Sequence, residues 1–417
     1  MTRLGVGAEE MERIFDKMTE FQKDILALLK TALLDAELKL SNSADLARIY
    51  GFAEEQQLVP LLYSGVLLDP RLAAHPVASK FLERFMIHVS HDADQRDTVE
   101  QIFRAFEEAG VSYMPVKGTL LKSLYPSPEM RTMGDADILI RMEEYDRVQA
   151  AMQSLGCTFA YESDHEYSWK TPTGLLIELH KRLIPSYNRD FYAYYGDGWD
   201  FARHCKDHGF RYEMTREDTF IYLFSHFAKH YRDQGAGMKY VIDFYLYNRA
   251  YPDLDESYLQ EELEKLHLTE FYRNIMYLLK VWFEDAPETE VSAYLTNRMF
   301  NDGVFGQDEL NVISEGVKLS KDGHSAKKEK KKQLFFPPYR SMCLRYPILE
   351  HWAILLPLFW LIRLFDLAIH HRDRYRRAMN RLDKMSDEKI IRYQQELNYV
   401  GLDYDFGGDD PPTKEER

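Results

Sequence analysis

A six-residue segment, Asp135 to Ile140, constrains the fold of this chain more than any other part of the sequence. It reads Asp-Ala-Asp-Ile-Leu-Ile, so two carboxylates stand two residues apart at the start of an apolar run. Side chains two apart on a strand project from the same face, and Asp135 and Asp137 would therefore present their carboxylates to one point. Such a pair suits Mg²⁺, which usually takes one or two protein carboxylates and completes its shell with water and substrate phosphates. The alternative interpretation is a capped strand end without a ligand.

A turn rich in hydrogen-bond donors, Lys117-Gly118-Thr119, precedes the aspartates in the chain. Its backbone N–H groups, the threonine hydroxyl and the lysine ammonium can all bind the oxygens of a polyphosphate. The turn and the aspartate pair together predict metal-assisted nucleotidyl transfer.

The order of these motifs resembles the nucleotidyltransferase superfamily with the DNA polymerase β-type catalytic core, in which Gly-Ser or Gly-Thr comes before Asp-x-Asp on a strand. The surrounding sequence is similar to a largely uncharacterised bacterial group of that superfamily, most specifically between residues 110 and 250. The similar positions are Val116 to Gly118, Leu120, Leu121, Tyr125, Pro126, Arg131 and Gly134 to Leu139. The sequence departs from the common pattern in having Thr119 instead of serine, and a threonine hydroxyl can do the same work.

This resemblance implies an α+β fold, in which a small mixed sheet with helices is flanked by N-terminal and C-terminal helical regions. In such cores a third carboxylate on a later strand completes the metal site. The run from Leu175 to His180 is strand-like, and its alternation puts Glu178 and His180 on one side. By position, Glu178 is expected to join Asp135 and Asp137 as a catalytic residue and metal ligand. A solvent-facing glutamate is the alternative.

The resemblance continues into the helical segment after the core. It implies that Lys229, His230 and Lys239 contact the nucleotide phosphates and that Asp243 orients one of them. The phosphate-binding set would then be Lys117, Gly118, Thr119, Arg131, Lys229, His230 and Lys239. A helix hairpin whose polar residues bond one another is an equally open interpretation. His226 and His230 also have the spacing of a zinc-binding pair, but the glutamate arrangement of a zinc protease is missing.

Composition limits the functional classes. The 417 residues are 45% hydrophobic and 14% aromatic, which predicts a folded globular protein with two or three subdomains. A formal net charge of −15 argues against general affinity for DNA or RNA, because such affinity comes from many cationic side chains. The three cysteines have no paired spacing, and the N-terminus lacks the apolar stretch of a secretory signal. We therefore expect a cytoplasmic protein.

Changes in periodicity and composition divide the chain into six predicted parts. They are an N-terminal helical region (1–110), the catalytic core (111–213), a helical domain (214–318), a basic linker (319–334), a C-terminal helical segment (335–402) and a disordered tail (403–417). Within the first part, the stretch from Val77 to Ala109 predicts one long helix or two in sequence.

An apolar run from Trp352 to Phe365 has two interpretations. It is too short to span a bilayer and contains Pro357, so it is either a buried helix or an interfacial one. Burial is favoured because aromatic stripes at helical spacing usually belong to a core. The basic run from Lys327 to Lys332 and the arginines that follow Arg363 favour peripheral contact with the inner face of the membrane.

The sequence as a whole predicts an enzyme that moves an NMP from an NTP such as ATP to a hydroxyl or amine, with release of pyrophosphate. Mg²⁺ is the expected cofactor and Mn²⁺ the alternative. The acceptor is left open between a small molecule, a glycan precursor, a protein and an RNA end. Two other classes also remain open: a catalytically inactive nucleotide-binding protein, and a membrane-associated factor in surface polysaccharide assembly.

Overall fold

The computed structural model describes residues 17–303, 346–370 and 387–403, together with isolated positions between 310 and 343. The predictions for the basic linker and for residues 404–417 of the tail lie outside the described residues. Within the described part, a small sheet is flanked by helices on its N-terminal and C-terminal sides, which confirms the predicted α+β fold.

A five-stranded mixed sheet, with strand order β1-β2-β5-β4-β3, forms the centre of the fold. The second strand pairs antiparallel with the first and parallel with the fifth, and the remaining neighbours are antiparallel. The strands are β1 (Tyr113–Val116), β2 (Asp135–Ile140), β3 (Thr158–Glu162), β4 (Glu166–Lys170) and β5 (Leu176–His180). Strands β2 and β5 lie within one residue of the strand-like segments expected at residues 135–140 and 175–180.

The two faces of β2 have different environments. Ala136, Ile138 and Ile140 are fully buried in a cluster with apolar residues from the preceding long helix, such as Phe106. The opposite face carries Asp135, Asp137 and Leu139, because successive side chains of a strand alternate. Leu139 belongs to the larger core cluster formed with the helices that follow the sheet. The aspartates are therefore turned toward those helices.

Helices precede the sheet and connect its strands. Before the sheet lie α1 (Glu20–Leu34), α2 (Leu46–Glu55), α3 (Val59–Leu68), α4 (Pro70–Ala73) and α5 (Ala78–Ala109). Within the core lie α6 (Gly118–Leu121), α7 (Tyr145–Ser154) and α8 (Arg189–Tyr195), together with a two-stranded sheet of β6 (Arg203–His204) and β7 (Tyr212–Glu213). Helix α5 is one continuous helix of 32 residues and ends at Gly110, whose φ of +64° is left-handed.

The helices after the core pack through an aromatic interior. They are α9 (Arg216–Gln234), α10 (Met238–Ala250), α11 (Glu256–Lys265), α12 (Thr269–Phe283) and α13 (Glu290–Asp302). Thr215 caps α9 by accepting a hydrogen bond from the backbone N–H of Asp218. Phe224 of α9 packs on Phe244 of α10 and Phe271 of α12. This packing fixes the position of α9 and α10 beside the aspartate-bearing face of the sheet.

The C-terminal helices are α14 (Leu356–His370) and α15 (Asp387–Tyr399). One side of α14 packs on a small cluster around Met342, Cys343 and Leu349. The other side is exposed, by 52% at Leu358, 64% at Leu361, 44% at Ile362 and 70% at Phe365. The favoured prediction of a buried helix is therefore wrong for the outward side of α14, because periodicity marks an apolar helix without showing what covers it. Among the described residues, no helix has the length and hydropathy needed to cross a bilayer.

Candidate active site

A cavity of about 380 Å³ lies where the sheet meets α9 and α10. Its sheet wall carries the side chains of Asp135, Asp137, Glu166 and Glu178. Its helical wall carries those of His226, Lys229, His230 and Lys239. The fold thus places a wall of carboxylate side chains opposite a wall of lysine and histidine side chains.

The carboxylates meet because β2 and β5 are parallel neighbours. In their register Asp137 lies opposite Glu178, so both side chains project from the same face. One oxygen of Asp137, one of Glu178 and one nitrogen of His180 all lie within 4.8 Å of one another. Asp135 lies two residues before Asp137 on the same strand and also lines the cavity. The structure therefore brings Asp137 and Glu178 together with His180, and Asp135 lines the same cavity without belonging to this three-ligand cluster.

The electrostatics of the acidic wall favour a bound cation. Burial and the negative charges of Asp137, Asp135 and Glu166 raise the pKa of Glu178 to about 8, although Lys117 opposes them. Burial, with a contribution from Asp137, also raises the pKa of Asp135. Burial alone would raise the pKa of Asp137 as well, but Lys117 and the hydrogen bond with His180 hold it well below its usual range. A divalent ion would relieve the repulsion among these groups.

Lys117 supplies a positive charge at this wall. Its Nζ lies 2.6 Å from Oδ1 of Asp137 and 3.4 Å from Nε2 of His180. Its backbone has φ of +51°, a region that residues with a side chain rarely adopt. The turn expected to bind phosphates thus directs its lysine to Asp137 in this structure. Strained backbone of this kind is concentrated at functional sites.

The other two residues of that turn differ in position. Gly118 lines the cavity, and a Cβ there would lie 3.2 Å from Nη1 of Arg131 and 3.3 Å from Met133. A side chain at this position would therefore crowd the cavity wall. Thr119 lies outside the residues that form the wall, and its buried hydroxyl has no hydrogen-bond partner in the described part of the chain. The structure brings Gly118, but not Thr119, to the proposed phosphate site.

Arg131 and Asp243 form a buried ion pair at the edge of the cavity. Nε and Nη2 of Arg131 lie 2.8 Å and 2.9 Å from the two oxygens of Asp243, which also accepts a 2.8 Å hydrogen bond from the Tyr125 hydroxyl. The sequence-based expectation was that Arg131 binds phosphate and that Asp243 orients a basic residue of the helical segment. In this structure the pair holds the segment before β2 against α10, and both residues line the cavity.

The helical wall offers three predicted phosphate ligands. Lys229, His230 and Lys239 all line the cavity. Burial, followed by the nearby charge of Arg131, lowers the pKa of Lys239 to about 8. The rings of His226 and His230 meet edge to face with centroids 4.4 Å apart, and burial lowers the pKa of both. Within the described residues, the three-ligand clusters with metal-binding spacing include neither of these histidines.

Sequence reasoning gave His180 no role, although it placed the residue on the same side as Glu178. Its ring is fully buried, and Nε2 lies 2.8 Å from Oδ1 of Asp137. The Glu-x-His spacing on β5 was the available signal, because residues two apart share a strand face. His165 and Glu166 also line the cavity, and nothing in their local sequence indicated this.

A small mixed sheet that presents strand-borne carboxylates to a basic helical wall is typical of a nucleotidyltransferase. Residues 42–284 match the family described as uncharacterised nucleotidyltransferase, so more than half of the chain is covered and the protein belongs to this family. The resemblance recognised in the sequence is thereby confirmed, and the chain is a transferase of nucleotidyl groups.

Comparison with individual proteins adds one similar structure. The solution structure of the antibiotic-resistance factor ANT(2'')-Ia is 14% identical, with a TM-score of 0.30, and the match covers 46% of this chain and 97% of that one. No curated protein matches the sequence.

Proposed function

We propose that this enzyme transfers an NMP from an NTP to a hydroxyl or amine acceptor in an Mg²⁺-dependent reaction. The observation that carries the proposal is the alignment of Glu178 with Asp137 across β2 and β5, beside Asp135 and opposite a basic wall. Nucleotidyl transfer needs positioning and charge neutralisation more than a covalent intermediate. A cavity with one acidic and one basic wall supplies both.

The chemistry of the donor groups fits a hard divalent ion. Asp135, Asp137 and Glu178 offer the oxygen ligands that Mg²⁺ prefers, and Mn²⁺ accepts the same set. The Lys117 ammonium lies beside Asp137, so the acidic wall already has one positive charge next to it. When bound, the ion would neutralise triphosphate charge and polarise the phosphoryl oxygens.

The side chains of the chain itself would divide the remaining work. Lys229, His230 and Lys239 would hold the triphosphate and stabilise the charge that develops on the leaving pyrophosphate. Glu178 would accept the proton of the acceptor as its oxygen or nitrogen bonds to the α-phosphorus and the bond to pyrophosphate breaks. Gly118 would let the backbone of the turn approach the phosphates closely.

The direct test is transfer of label from each α-³²P NTP in the presence of Mg²⁺ and pooled acceptors from the four open classes. We expect a labelled acceptor and stoichiometric pyrophosphate, both lost on addition of EDTA. Calorimetry with NTP and Mg²⁺ tests the alternative, an inactive nucleotide-binding protein. Tight NTP binding without labelling of any acceptor would contradict transfer and support a nucleotide-binding protein without turnover.

Nucleotide affinity is expected to fall as the pH rises through about 8, the pKa to which burial lowers Lys239. The ammonium is charged below this pH and neutral above it, so a charge-assisted contact with phosphate is present at about pH 7 and lost at about pH 9. Losing one such contact costs on the order of 1.4 kcal/mol, about tenfold in affinity. Calorimetry at both pH values measures it, with Lys239→Met as the variant that loses the dependence. The exposed Lys265→Met is the control, and equal affinities at both pH values in the parent would contradict the role of Lys239.

A second property, peripheral association with an anionic membrane, is favoured by α14. Leu358, Leu361, Ile362 and Phe365 follow helical i, i+3, i+4, i+7 spacing and all face outward. Large apolar stripes of this kind mark interaction surfaces in soluble proteins. The four arginines at 372, 374, 376 and 377 follow directly in the sequence and complement anionic lipid. We propose that this stripe lies in the lipid interface and holds the enzyme at the inner face of the membrane.

The stripe makes a measurable prediction. The parent chain should sediment with phosphatidylglycerol-containing vesicles and less with pure phosphatidylcholine, and Leu361→Glu/Phe365→Glu should weaken this binding by about tenfold or more. Leu68→Glu is the matched control, since Leu68 is 66% exposed on α3. If the parent instead forms a dimer that the double substitution dissociates, the stripe contacts a second copy and the membrane proposal is wrong.

A further inference from the structure

A second group of potential metal ligands lies beside the three carboxylates. It consists of His165, Glu166 and His180, and one donor atom from each lies within 4.8 Å of the other two. Glu166 begins β4 and His180 ends β5, and these two residues are register partners in the antiparallel pair. The proposed transfer reaction uses neither His165 nor Glu166, so the cluster calls for an explanation of its own.

The hydrogen bond of His180 to Asp137 determines which ring nitrogen carries the hydrogen. Nε2 lies 2.8 Å from Oδ1 of Asp137, and because a carboxylate only accepts, Nε2 is the nitrogen that carries the hydrogen. In the neutral ring this leaves a lone pair on Nδ1. That atom is buried and has no hydrogen-bond partner in the part of the chain that the structure describes. Metal-ligating histidines commonly donate their other N–H to a carboxylate in this way.

The remaining two members supply a negative charge and a second imidazole. Oε2 of Glu166 lies 3.0 Å from Nε2 of His165, and the side chains are 7% and 19% exposed. Both residues line the cavity, which leaves access for an ion and for a further ligand such as water. Burying a carboxylate is costly unless it is paired, and a bound metal ion is one such partner.

We propose that His165, Glu166 and His180 bind a transition-metal dication such as Zn²⁺, adjacent to the carboxylate site for Mg²⁺. Two imidazole nitrogens and one carboxylate oxygen form a donor set that Zn²⁺ and Co²⁺ favour, whereas Mg²⁺ prefers oxygen ligands alone. Cavity access leaves room for water or a substrate atom as a fourth ligand. The inference does not depend on the proposed transfer reaction, because metal binding is measured without nucleotide.

The test uses the full chain after removal of metal with a chelator. Zn²⁺ titration by calorimetry and Co²⁺ titration by visible absorption should each show a saturable site, with affinity for Zn²⁺ at least about a hundredfold above that for Mg²⁺. His165→Ala and Glu166→Gln should each weaken Zn²⁺ binding by about tenfold or more. His88→Ala/His91→Ala on α5 is the matched control, because it removes two neighbouring histidines elsewhere and should leave the affinity unchanged.

Three results would overturn the inference. They are the absence of Zn²⁺ and Co²⁺ binding, displacement of Zn²⁺ by an equal concentration of Mg²⁺, and loss of binding in His226→Ala/His230→Ala while His165→Ala binds normally. His165 is partly exposed, so its replacement should leave the thermal unfolding of the chain unchanged and the result interpretable. Asp135→Asn separates the two proposals, since it should remove nucleotidyl transfer and retain Zn²⁺ binding.

Discussion

Replacing Asp137 by asparagine is expected to reduce nucleotidyl transfer about a thousandfold, equivalent to roughly 4 kcal/mol of transition-state stabilisation. Asparagine keeps the shape of the side chain and removes the charge that faces Glu178 across the strand pair. The loss should appear in the initial rate of label transfer from α-³²P NTP at saturating Mg²⁺. Lys117 and His180 both contact this carboxylate, so its position in the parent enzyme is fixed before any ligand binds.

The matched control for this substitution is Glu162→Gln on β3. Glu162 is a carboxylate of the same sheet, but its side chain is 54% exposed and pairs with Lys181 at the surface. It should retain transfer within about twofold, because exposed ion pairs contribute little. Parent-like activity in Asp137→Asn, with the same fold by circular dichroism, would contradict the assignment of the acidic wall as the metal site.

Replacing Arg131 by alanine is expected to lower the free energy of unfolding by about 3–5 kcal/mol. The guanidinium makes two hydrogen bonds to Asp243, and both side chains are less than 10% exposed. Removing it leaves the negative charge of Asp243 buried, with the hydrogen bond from the Tyr125 hydroxyl still in place. Urea unfolding followed by circular dichroism measures the loss.

The chain offers a control with the same contact geometry at the surface. Arg84 makes two hydrogen bonds, of 2.9 Å and 3.2 Å, to Glu54, but the side chains are 45% and 32% exposed. Arg84→Ala should therefore cost less than about 1 kcal/mol. Arg131→Met/Asp243→Leu should cost less than Arg131→Ala, because it removes both charges. Equal losses for Arg84→Ala and Arg131→Ala would show that burial does not strengthen this pair.

The sheet could be predicted from sequence because its signals are local. The apolar run that begins at the Asp135–Asp137 pair located β2, and the alternation from Leu175 to His180 located β5. The expectation that Glu178 joins the aspartates followed from a family resemblance. The register of β2 and β5 then placed it opposite Asp137.

The partners of the buried charges could not be predicted in the same way. Arg131 and Asp243 are 112 positions apart, and Lys117 and His180 are 63 apart. No periodic pattern connects residues at such separations. Their contacts depend on how α10 and the turn at Lys117 pack against the sheet. Burial of the whole core decides this packing.

Helix α14 is a second case in which the sequence pattern did not predict the tertiary contacts. Its sequence correctly indicated an apolar helix, yet the pattern contained no information on whether a protein surface or solvent lies over Leu361 and Phe365.

The sequence by itself determined which side chains share a face of a strand or helix, because backbone geometry repeats every two or 3.6 residues. It therefore specified the Asp135–Asp137 pair, the Glu178–His180 pair and the apolar stripe of α14. Only the tertiary structure decided which of these faces meet. Contacts between distant segments arise from simultaneous packing of the complete core, and this gave Asp137 its neighbours Lys117 and His180.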